Sequence, residues 1–261
     1  MSAPAPSMYS PDAKAMAERL GLKMGRANLE AFAETLLEMA KADRNVLAVT
    51  SDSRGSGKLG PFAQALPDQL IELGIAEQNL VGVAAGLASA GKSVYAVSPA
   101  CFLTARALEQ IKNDVAYSEN PVKVIGISAG VSYGALGSTH HSLHDLAALR
   151  AINNIDVVVP ADNFEAGQVI RQAAHRPTPV YVRFGKAPLY DLHAPSTQWE
   201  LGRSITLRDG SDVAFIATGE TVVHALLAAG TLAADGITAR VISMHTVKPL
   251  DTQAVLKAAR E

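Results

Sequence analysis

Hydrophobic and polar positions alternate along this chain in a way that predicts helices and strands in regular succession. Residues 29–42 place apolar side chains at the spacing of one helix face, and residues 46–50 form a short run rich in strand-forming residues. The runs that predict strands are continuously apolar, which is typical of a parallel sheet covered by helices on both faces. The pattern therefore predicts an α/β fold built on a twisted parallel sheet. The other expected elements are helices from Glu77 and over 103–117, 143–150 and 164–174, and strands over 93–97, 122–127, 157–159 and 180–182.

The same pattern divides the chain into four segments. Residues 1–28 begin with Ser-Ala-Pro-Ala-Pro-Ser after the methionine and lack a continuous apolar run, so we predict a flexible tail. Residues 29–190 carry the regular alternation and form the predicted first domain. The helix and strand periodicity ends around Pro188 and Pro195, and we place a linker at 191–203. Residues 204–261 predict only two strands and two helices, too few to close a core, so we expect the incomplete beginning of a second α/β domain.

Composition limits the classes of partner. A total of 23 Lys and Arg against 25 Asp and Glu gives a net charge of −2, which favours neither nucleic acid nor an anionic membrane as partner. The longest mostly apolar run, residues 80–91, is too short to span a bilayer, and the N-terminus is a poor signal peptide, so we expect a cytoplasmic location. The single Cys101 excludes an internal disulfide framework. A hydrophobic fraction of 48% with 18% charged residues predicts an extensive subunit interface.

One glutamate stands out by its surroundings. The stretch Glu-Leu-Gly-Ile-Ala-Glu-Gln-Asn over 72–79 places Glu77 where an apolar strand gives way to an apolar helix. A glutamate is almost never fully buried without a partner. One interpretation is a carboxylate that complements the positive N-terminus of the helix. The other is a catalytic carboxyl whose proton affinity is raised by apolar surroundings.

Two glycine-containing motifs match the signatures of other protein classes, a dinucleotide-binding site and a serine hydrolase. Residues 55–60 spell G-x-G-x-x-G, but they do not follow a strand directly and Pro61 comes next, so we interpret them as a mobile surface loop and not a dinucleotide site. Residues 126–130 spell G-x-S-x-G after a strand, the signature of a serine hydrolase with Ser128 as nucleophile. That motif needs a helix directly after the serine, whereas the sequence here predicts a loop. A serine hydrolase therefore stays a rival hypothesis.

The Gly-Ile-Ala-Glu-Gln-Asn stretch resembles the signature of the pyrimidine-binding domain in transketolase-like, thiamine-diphosphate-dependent enzymes. The similarity continues from about Phe32 to the chain end and is closest to the type encoded as two subunits. In that family the glutamate, here Glu77, bonds N1′ of the aminopyrimidine and drives the tautomer that takes the proton from thiazolium C2. The resemblance therefore implies thiamine diphosphate as cofactor and Glu77 as a catalytic residue.

Further segments match the family in order and spacing. Asp52 follows the first strand, and Phe102 with Arg106 fits the family's Phe-x-x-x-Arg pattern, in which the ring stacks on the aminopyrimidine. The resemblance implies that the cofactor is bound by Asp52, Ile75, Glu77, Phe102 and Arg106. A turn-initiating role for Asp52 and a core position for Phe102 remain as alternatives.

The substrate end of the site is implied by two more matches. Residues 137–141 resemble Gly-x-Thr-His-Gln, so His140 is expected to face the substrate's oxygens as a catalytic and substrate-binding residue. Arg183 ends a strand where the family often binds the sugar phosphate, and a guanidinium suits a bidentate phosphate. One alternative is an ion pair between Arg183 and a surface carboxylate. Another is a zinc site formed by His140, His141, His144 and Asp145.

Three positions depart from the family pattern. Leu136 stands where an acidic residue is common, Leu29 stands where a second phosphate-binding arginine is expected, with Arg26 out of register, and Leu108 replaces an aromatic residue. We therefore expect weakened selection for phosphorylated aldoses, with the cofactor half of the site intact.

A motif that is missing from the sequence predicts the need for a companion subunit. The family binds Mg²⁺ and the pyrophosphate through a Gly-Asp-Gly motif on a separate domain, and no Gly-Asp-Gly occurs here. We expect a companion subunit to supply these ligands in an α2β2 heterotetramer, with no metal ligands on this chain. The implied activity is transfer of a two-carbon ketol unit from a ketose to an aldose or another small aldehyde. A 2-oxo acid dehydrogenase β subunit, a 1-deoxyxylulose-phosphate synthase-like subunit and a non-catalytic partner subunit remain alternatives.

Overall fold

Residues 8–261 are described by a computed structural model, in which helices and strands alternate along the chain. The helices are α1 Pro11–Arg19, α2 Asn28–Ala42, α3 Gly60–Ala65, α4 Glu77–Ser89, α5 Ala100–Arg106, α6 Leu108–Gln110, α7 Asp145–Ala151, α8 Asn163–Ala174, α9 Thr221–Leu232 and α10 Thr252–Ala258. The strands are β1 Lys23–Ala27, β2 Val46–Thr50, β3 Leu70–Glu72, β4 Ser93–Pro99, β5 Lys123–Ile127, β6 Asp156–Val158, β7 Val180–Phe184, β8 Pro188–Asp191, β9 Ile205–Arg208, β10 Val213–Ala217, β11 Ala239–Ser243 and β12 Thr246–Lys248. Across the described range, every helix falls short of the length and apolarity that crossing a bilayer requires.

A seven-stranded sheet forms the centre of the molecule, in the order β12-β6-β7-β5-β4-β2-β3. Every neighbouring pair is parallel except β12 with β6. One apolar cluster covers one side with Phe32 and Phe184 at its centre, and a second cluster covers the other side around Leu80 and Ile111. Because both faces are covered, the strands are apolar throughout, and the predicted α/β fold with a parallel sheet is confirmed.

The carboxyl ends of the parallel strands meet at one edge of this sheet. The loop after β2, the turn from β3 into α4, the start of α5 after β4 and the long loop after β5 all lie there. One carboxylate oxygen ties two of them together, because Glu72 Oε1 accepts the N–H of Asp52 at 2.6 Å and of Gly74 at 3.1 Å. In open α/β sheets this edge is where ligands bind.

The N-terminal segment differs from the flexible tail predicted over residues 1–28. Residues 1–7 lie outside the described range. Helix α1 begins after Ser10, whose hydroxyl oxygen accepts the Ala13 N–H at 3.1 Å and caps the helix. Strand β1 then pairs antiparallel with β8. The prediction was wrong here because these elements are stabilised by residues far along the chain.

The partners of α1 belong to the C-terminal part. Met16 and Ala17 are buried against Tyr190, Val223 and Leu227, so the helix rests on α9 and on the β1–β8 pair. The helices approach closely because α9 has a glycine where a side chain would collide with the Met16 sulfur. The segment thus bridges the two parts of the molecule.

The C-terminal part is built onto the main sheet instead of standing apart. Its own sheet has three strands in the order β10-β11-β9, and β12 leaves it to pair with β6 at the edge of the main sheet. The predicted linker 191–203 holds irregular backbone, but Trp199 and Leu201 within it are buried in the main apolar core. Burial of these two side chains fixes the connection to the first domain.

A buried acid and histidine cluster joins these parts. His193 Nδ1 lies 2.9 Å from Asp162 and its Nε2 lies 3.3 Å from Glu165, and all three side chains are almost fully buried. Ser243 on β11 donates a hydrogen bond of 2.7 Å to the same Glu165 carboxylate. Burial raises the pKa of Glu165 to about 7. Burial also lowers the pKa of the neighbouring His245 to about 4, and the charge of His193 adds to that shift.

His245 predicts an acid sensitivity of this junction. The imidazole protonates near its ordinary value of 6.5 in the unfolded chain but only at about 4 in the folded one, so stability is lost as pH falls through that window. We expect His245→Phe, which preserves an aromatic ring against Trp199, to reduce the loss in free energy of unfolding between pH 7 and 4.5 by about 1–3 kcal/mol. Urea unfolding at the two pH values measures it. The exposed His175→Phe is the control, and an equal acid loss in wild type and His245→Phe would contradict the assignment.

Candidate active site

Glu77 lies at the first residue of α4, where the sequence places it. Its side chain is 4% exposed and the helix N-terminus lies beside it. Both carboxylate oxygens accept from Arg106 Nη1, each at 3.1 Å. The carboxylate is therefore dry, as expected, but it has a cationic partner. The sequence had placed this arginine beside the cofactor and had not paired it with the glutamate.

Phe102 and Arg106 lie one turn apart on α5, and their side chains are in contact. The guanidinium carbon of Arg106 lies 4.3 Å from the centre of the Phe102 ring, a cation–π contact. Arg106 is half-exposed, so it bridges the buried Glu77 carboxylate and solvent. The ring is partly buried and offers a flat apolar face beside the carboxylate.

A cavity of about 290 Å³ collects most of the predicted site residues. It lies at the carboxyl edge of the sheet. Four of the five residues predicted to bind the cofactor line it, and Arg106 reaches it through Glu77. A larger depression shares Ile75 and Glu77 with this cavity and is lined by residues 75–79 together with Arg106. The full lining of the cavity is Ser51, Asp52, Ser53, Ser56, Ile75, Glu77, Pro99, Phe102, Tyr133, Leu136 and His140.

His140 lies between two aromatic rings at this cavity. Its ring centre is 5.1 Å from that of Phe102 and 5.3 Å from that of Tyr133, both edge to face. Thr139 Oγ1 lies 3.0 Å from His140 Nδ1. Within residues 8–261, this leaves Nε2 as the ring nitrogen without a hydrogen-bond partner. The histidine is therefore oriented by its neighbours and retains one nitrogen for a ligand.

Arg183 does not line this cavity. Its Nη1 lies 2.9 Å from Asp145 Oδ1, and the fully buried Asp145 also accepts the Tyr181 hydroxyl at 2.7 Å. The ion pair expected as the alternative is therefore present, although its carboxylate is buried and not at the surface, and phosphate binding by Arg183 stays a prediction. Asp145 lies close to Arg183 only in the folded chain, which is why the sequence could not indicate the pair.

The same contact gives the zinc alternative no support. Asp145 is occupied by Arg183 and Tyr181, while His144 Nε2 lies 3.3 Å from Thr104 Oγ1. No cluster of three or more His, Cys, Asp or Glu in the described range has the arrangement of a metal site.

Ser128 has the backbone of a strained turn without the surroundings of a nucleophile. Its φ is +58° and it follows β5, as in a nucleophile elbow. Its side chain is fully buried, and its hydroxyl has no hydrogen-bond partner in the described range, so no general base contacts it there. Turns and short 3-10 helices follow it instead of an α-helix. The geometry therefore contradicts the hydrolase hypothesis.

The three residues that depart from the family pattern lie in different surroundings. Leu136 lines the cavity and is 56% exposed, so an apolar surface replaces the usual acidic one. Leu29 is buried in the core, and the nearby Arg26 pairs with Glu34. Leu108 packs on the second apolar cluster.

Several cavity residues carry no clear functional signal in the sequence. Ser53 and Ser56 belong to the turn around the G-x-G-x-x-G loop, which forms part of the cavity wall. Tyr133 lies in the loop after β5, and an aromatic residue within a run of Gly, Ser and His was the available signal.

Comparison with known proteins agrees with this geometry. The family model "Transketolase, pyrimidine binding domain" matches residues 25–190, and "Transketolase, C-terminal domain" matches residues 202–261. The chain belongs to the transketolase family. Members of this thiamine-diphosphate-dependent family include enzymes divided between two chains, and this chain corresponds to their second subunit.

Three relatives describe the range of similarity. A subunit of the apulose-4-phosphate transketolase of Phocaeicola vulgatus is 49% identical over 233 residues, covering 89% of this chain and 75% of the relative. The solved structure of a split-gene transketolase, an inactive β4 tetramer, is 36% identical with a TM-score of 0.83, covering 90% of this chain and 76% of that one. The 1-deoxy-D-xylulose-5-phosphate synthase of Heliobacterium modesticaldum is 37% identical over 89% of this chain but only 36% of its own length.

The Glu77–Arg106 pair can be tested by stability. We expect Arg106→Met to lower the free energy of unfolding at pH 7 by about 1–3 kcal/mol, because it leaves a buried carboxylate unpaired. Adding Glu77→Gln should restore most of that loss, which urea unfolding in a double-mutant cycle measures.

Arg171→Met provides the control, since Arg171 pairs with Glu38 at 2.8 Å but both side chains are exposed. That change should alter stability by less than about 1 kcal/mol. If both arginine substitutions lower the free energy of unfolding equally, the buried pair contributes no more to stability than the exposed one.

Proposed function

We propose that this chain is the pyrimidine-binding subunit of a two-subunit transketolase that moves a two-carbon ketol unit from a ketose to an aldose. The observation that carries the proposal is the grouping of a dry Glu77 carboxylate, the flat Phe102 ring and His140 at one cavity of the sheet edge. The 49% identity to a subunit of an apulose-4-phosphate transketolase supports the same assignment.

The residues present fit the pyrimidine half of thiamine diphosphate. A heterocycle with ring nitrogens needs an apolar face to stack on and a carboxylate to bond, and Phe102 and Glu77 offer these side by side. Ile75 and Asp52 complete the lining near them. When bound, this cofactor supplies the electron sink for the two-carbon unit.

Glu77 is the residue that holds and moves a proton at its carboxylate oxygens. Arg106 Nη1 contacts both oxygens, so the carboxyl serves a ligand only when the arginine shares it or withdraws. Arg106 is half-exposed, so water can solvate its guanidinium when a ligand takes its place at the carboxylate. The guanidinium thus stabilises the carboxylate until a ligand replaces it.

His140 is the residue that orients the substrate's oxygens. Its Nδ1 is occupied by Thr139, so Nε2 is available for a hydroxyl or carbonyl oxygen. The rings of Phe102 and Tyr133 fix the imidazole plane from two sides. Leu136 at the same cavity offers that substrate an apolar contact in place of a carboxylate.

A companion chain carrying the Mg²⁺ and pyrophosphate ligands completes the proposed enzyme. The sequence has no Gly-Asp-Gly motif, and the described residues form no metal cluster. Large apolar side chains are exposed at and near the cavity rim: Ile75, Val131, Leu136 and Leu143. Such side chains suit a buried interface. We propose an α2β2 heterotetramer in the cytoplasm, with each cavity covered by the unlike chain.

The assignment of Glu77 as a catalytic residue predicts a variant that loses activity and keeps its fold. In the complex with the companion subunit, Glu77→Gln should lower kcat about 10²- to 10⁴-fold, because an amide cannot accept and return the proton. Ketol transfer is measured by release of the aldehyde product, and thermal unfolding shows whether the fold persists. Glu109→Gln, an exposed carboxylate on the adjacent helix, is the control and should retain activity. A Glu77→Gln complex with wild-type kcat would remove Glu77 from the mechanism.

The assembly also makes a prediction. The purified chain alone should show no ketol transfer, and activity should appear on mixing with a companion chain that carries a Gly-Asp-Gly motif. Mass measurement of the mixture should give two copies of each chain. Full activity of the isolated chain would contradict the proposal, and turnover of pyruvate with an aldehyde by the mixture would favour the synthase alternative.

A further inference from the structure

We propose that Ser51 donates a hydrogen bond from its hydroxyl to the ligand that fills the cavity beside Glu77. The buried hydroxyl of Ser98 fixes the direction of that donor. This inference rests on the proposed function, and it assigns a further binding residue to the same cavity. The ligand group that Ser51 recognises is a hydrogen-bond acceptor, either a nitrogen of the cofactor's aminopyrimidine ring or an oxygen of the sugar.

Ser51 and Ser98 meet between two neighbouring strands. Ser51 follows the last residue of β2, and Ser98 is the penultimate residue of β4. These strands are parallel, and Thr50 lies opposite Val97 in their register, so the two serines form the next pair. Their hydroxyl oxygens are 2.7 Å apart. Ser51 also lines the cavity, whereas Ser98 does not.

The number of hydroxyl protons gives the direction of this hydrogen bond. The pair has two protons, and neither hydroxyl oxygen has another hydrogen-bond partner within residues 8–261. Ser98 is 0% exposed, so a proton that it did not donate to Ser51 would lie in the interior without an acceptor, which is costly. We therefore assign Ser98 as the donor and Ser51 as the acceptor of the pair. The Ser51 proton then remains free, and the space that Ser51 borders is the cavity.

The backbone around Ser51 is held on both sides of the residue's carbonyl group. The Ser51 carbonyl oxygen accepts the Ser53 hydroxyl at 2.9 Å. The next residue, Asp52, has a φ of +52°, and its N–H donates to Glu72 Oε1 at 2.6 Å. An aspartate adopts this left-handed conformation more readily than most side chains. The donor is therefore preorganised, because a ligand that uses it does not have to order the loop.

Ser53 shows how the Ser51 hydroxyl differs from its neighbours. Both serines are buried, and both line the cavity. The Ser53 proton is already donated to the Ser51 carbonyl oxygen, so it is not available to a ligand. The other buried polar side chain in the lining, Glu77, is a carboxylate that accepts hydrogen bonds. Ser51 therefore supplies the buried hydroxyl proton that a ligand's acceptor atom needs.

Two serine-to-alanine substitutions separate the donor from its support. In the complex with the companion subunit, Ser51→Ala removes the hydroxyl that contacts the ligand, and Ser98→Ala leaves it in place. We expect Ser51→Ala to weaken ligand binding about three- to tenfold, the usual contribution of one neutral hydrogen bond. Ser98→Ala should weaken binding by less than about twofold, because Ser51 keeps its proton.

Two ligands are measured, because the acceptor atom belongs to one of them. The dissociation constant of thiamine diphosphate is determined by titration calorimetry with Mg²⁺ present and without any substrate. KM for fructose 6-phosphate is determined in the ketol-transfer assay at saturating cofactor. A rise in the dissociation constant in Ser51→Ala assigns the acceptor to the aminopyrimidine ring. A rise in KM with an unchanged dissociation constant assigns it to the sugar.

Ser51→Cys and Ser53→Ala are the matched controls. A thiol is a weaker donor of similar shape, so Ser51→Cys should fall between the wild type and Ser51→Ala. Ser53→Ala removes a buried hydroxyl whose proton is already engaged, and it should leave both constants within about twofold. Thermal unfolding shows whether each variant keeps its fold, and Ser51→Cys replaces Ser51→Ala in the test if the alanine variant does not fold.

Equal weakening by Ser51→Ala and Ser98→Ala would overturn the inference, because the pair would then act through the structure alone. A complex that binds the cofactor and transfers ketol units, with both constants unchanged in Ser51→Ala, would overturn it as well. A wild-type complex that binds no thiamine diphosphate would instead defeat the proposed function.

Discussion

The buried carboxylate of Glu77 is the constraint on which the rest of the site depends. A charged group at 4% exposure needs a partner, and it finds the N-terminus of α4 and the Arg106 guanidinium. Arg106 in turn lies over Phe102, so one ion pair fixes the relative positions of α4 and α5. The strands β3 and β4 that precede these helices bring them to the same edge of the sheet. Removing the carboxylate would therefore change the wall of the cavity as well as its chemistry.

A second buried charge cluster has a different task. His193 lies between Asp162 and Glu165, and Ser243 from the C-terminal sheet adds a hydrogen bond to Glu165. Together with β12 in the main sheet and α1 on α9, this cluster makes the two parts one structure. The two carboxylates of this cluster, Asp162 and Glu165, follow β6. The cavity, in contrast, is lined by segments that follow β2, β3, β4 and β5. The junction therefore connects the two parts of the scaffold and contributes no residue to the cavity lining.

The cations near the cavity are held in two different ways. Some cations are held in ion pairs, such as Arg183 with the buried Asp145. The Lys186 ammonium lies over the Tyr133 ring instead. The exposed apolar side chains at the cavity rim, such as Ile75 and Leu136, suit a surface that another chain covers.

By itself the sequence determined what depends on local pattern: continuously apolar strands specified the parallel α/β fold, and the strand-to-helix step placed Glu77 at the start of α4. It also carried an unused local signal, Ser10 followed by Pro11 and Asp12, which is typical of a helix start. Only the tertiary structure decided which distant groups meet. Arg183 pairs with Asp145 and Lys186 reaches Tyr133 because strand order brings together loops far apart in the chain. Periodicity specifies the face on which a residue lies, but the partner of a charge depends on the three-dimensional neighbourhood.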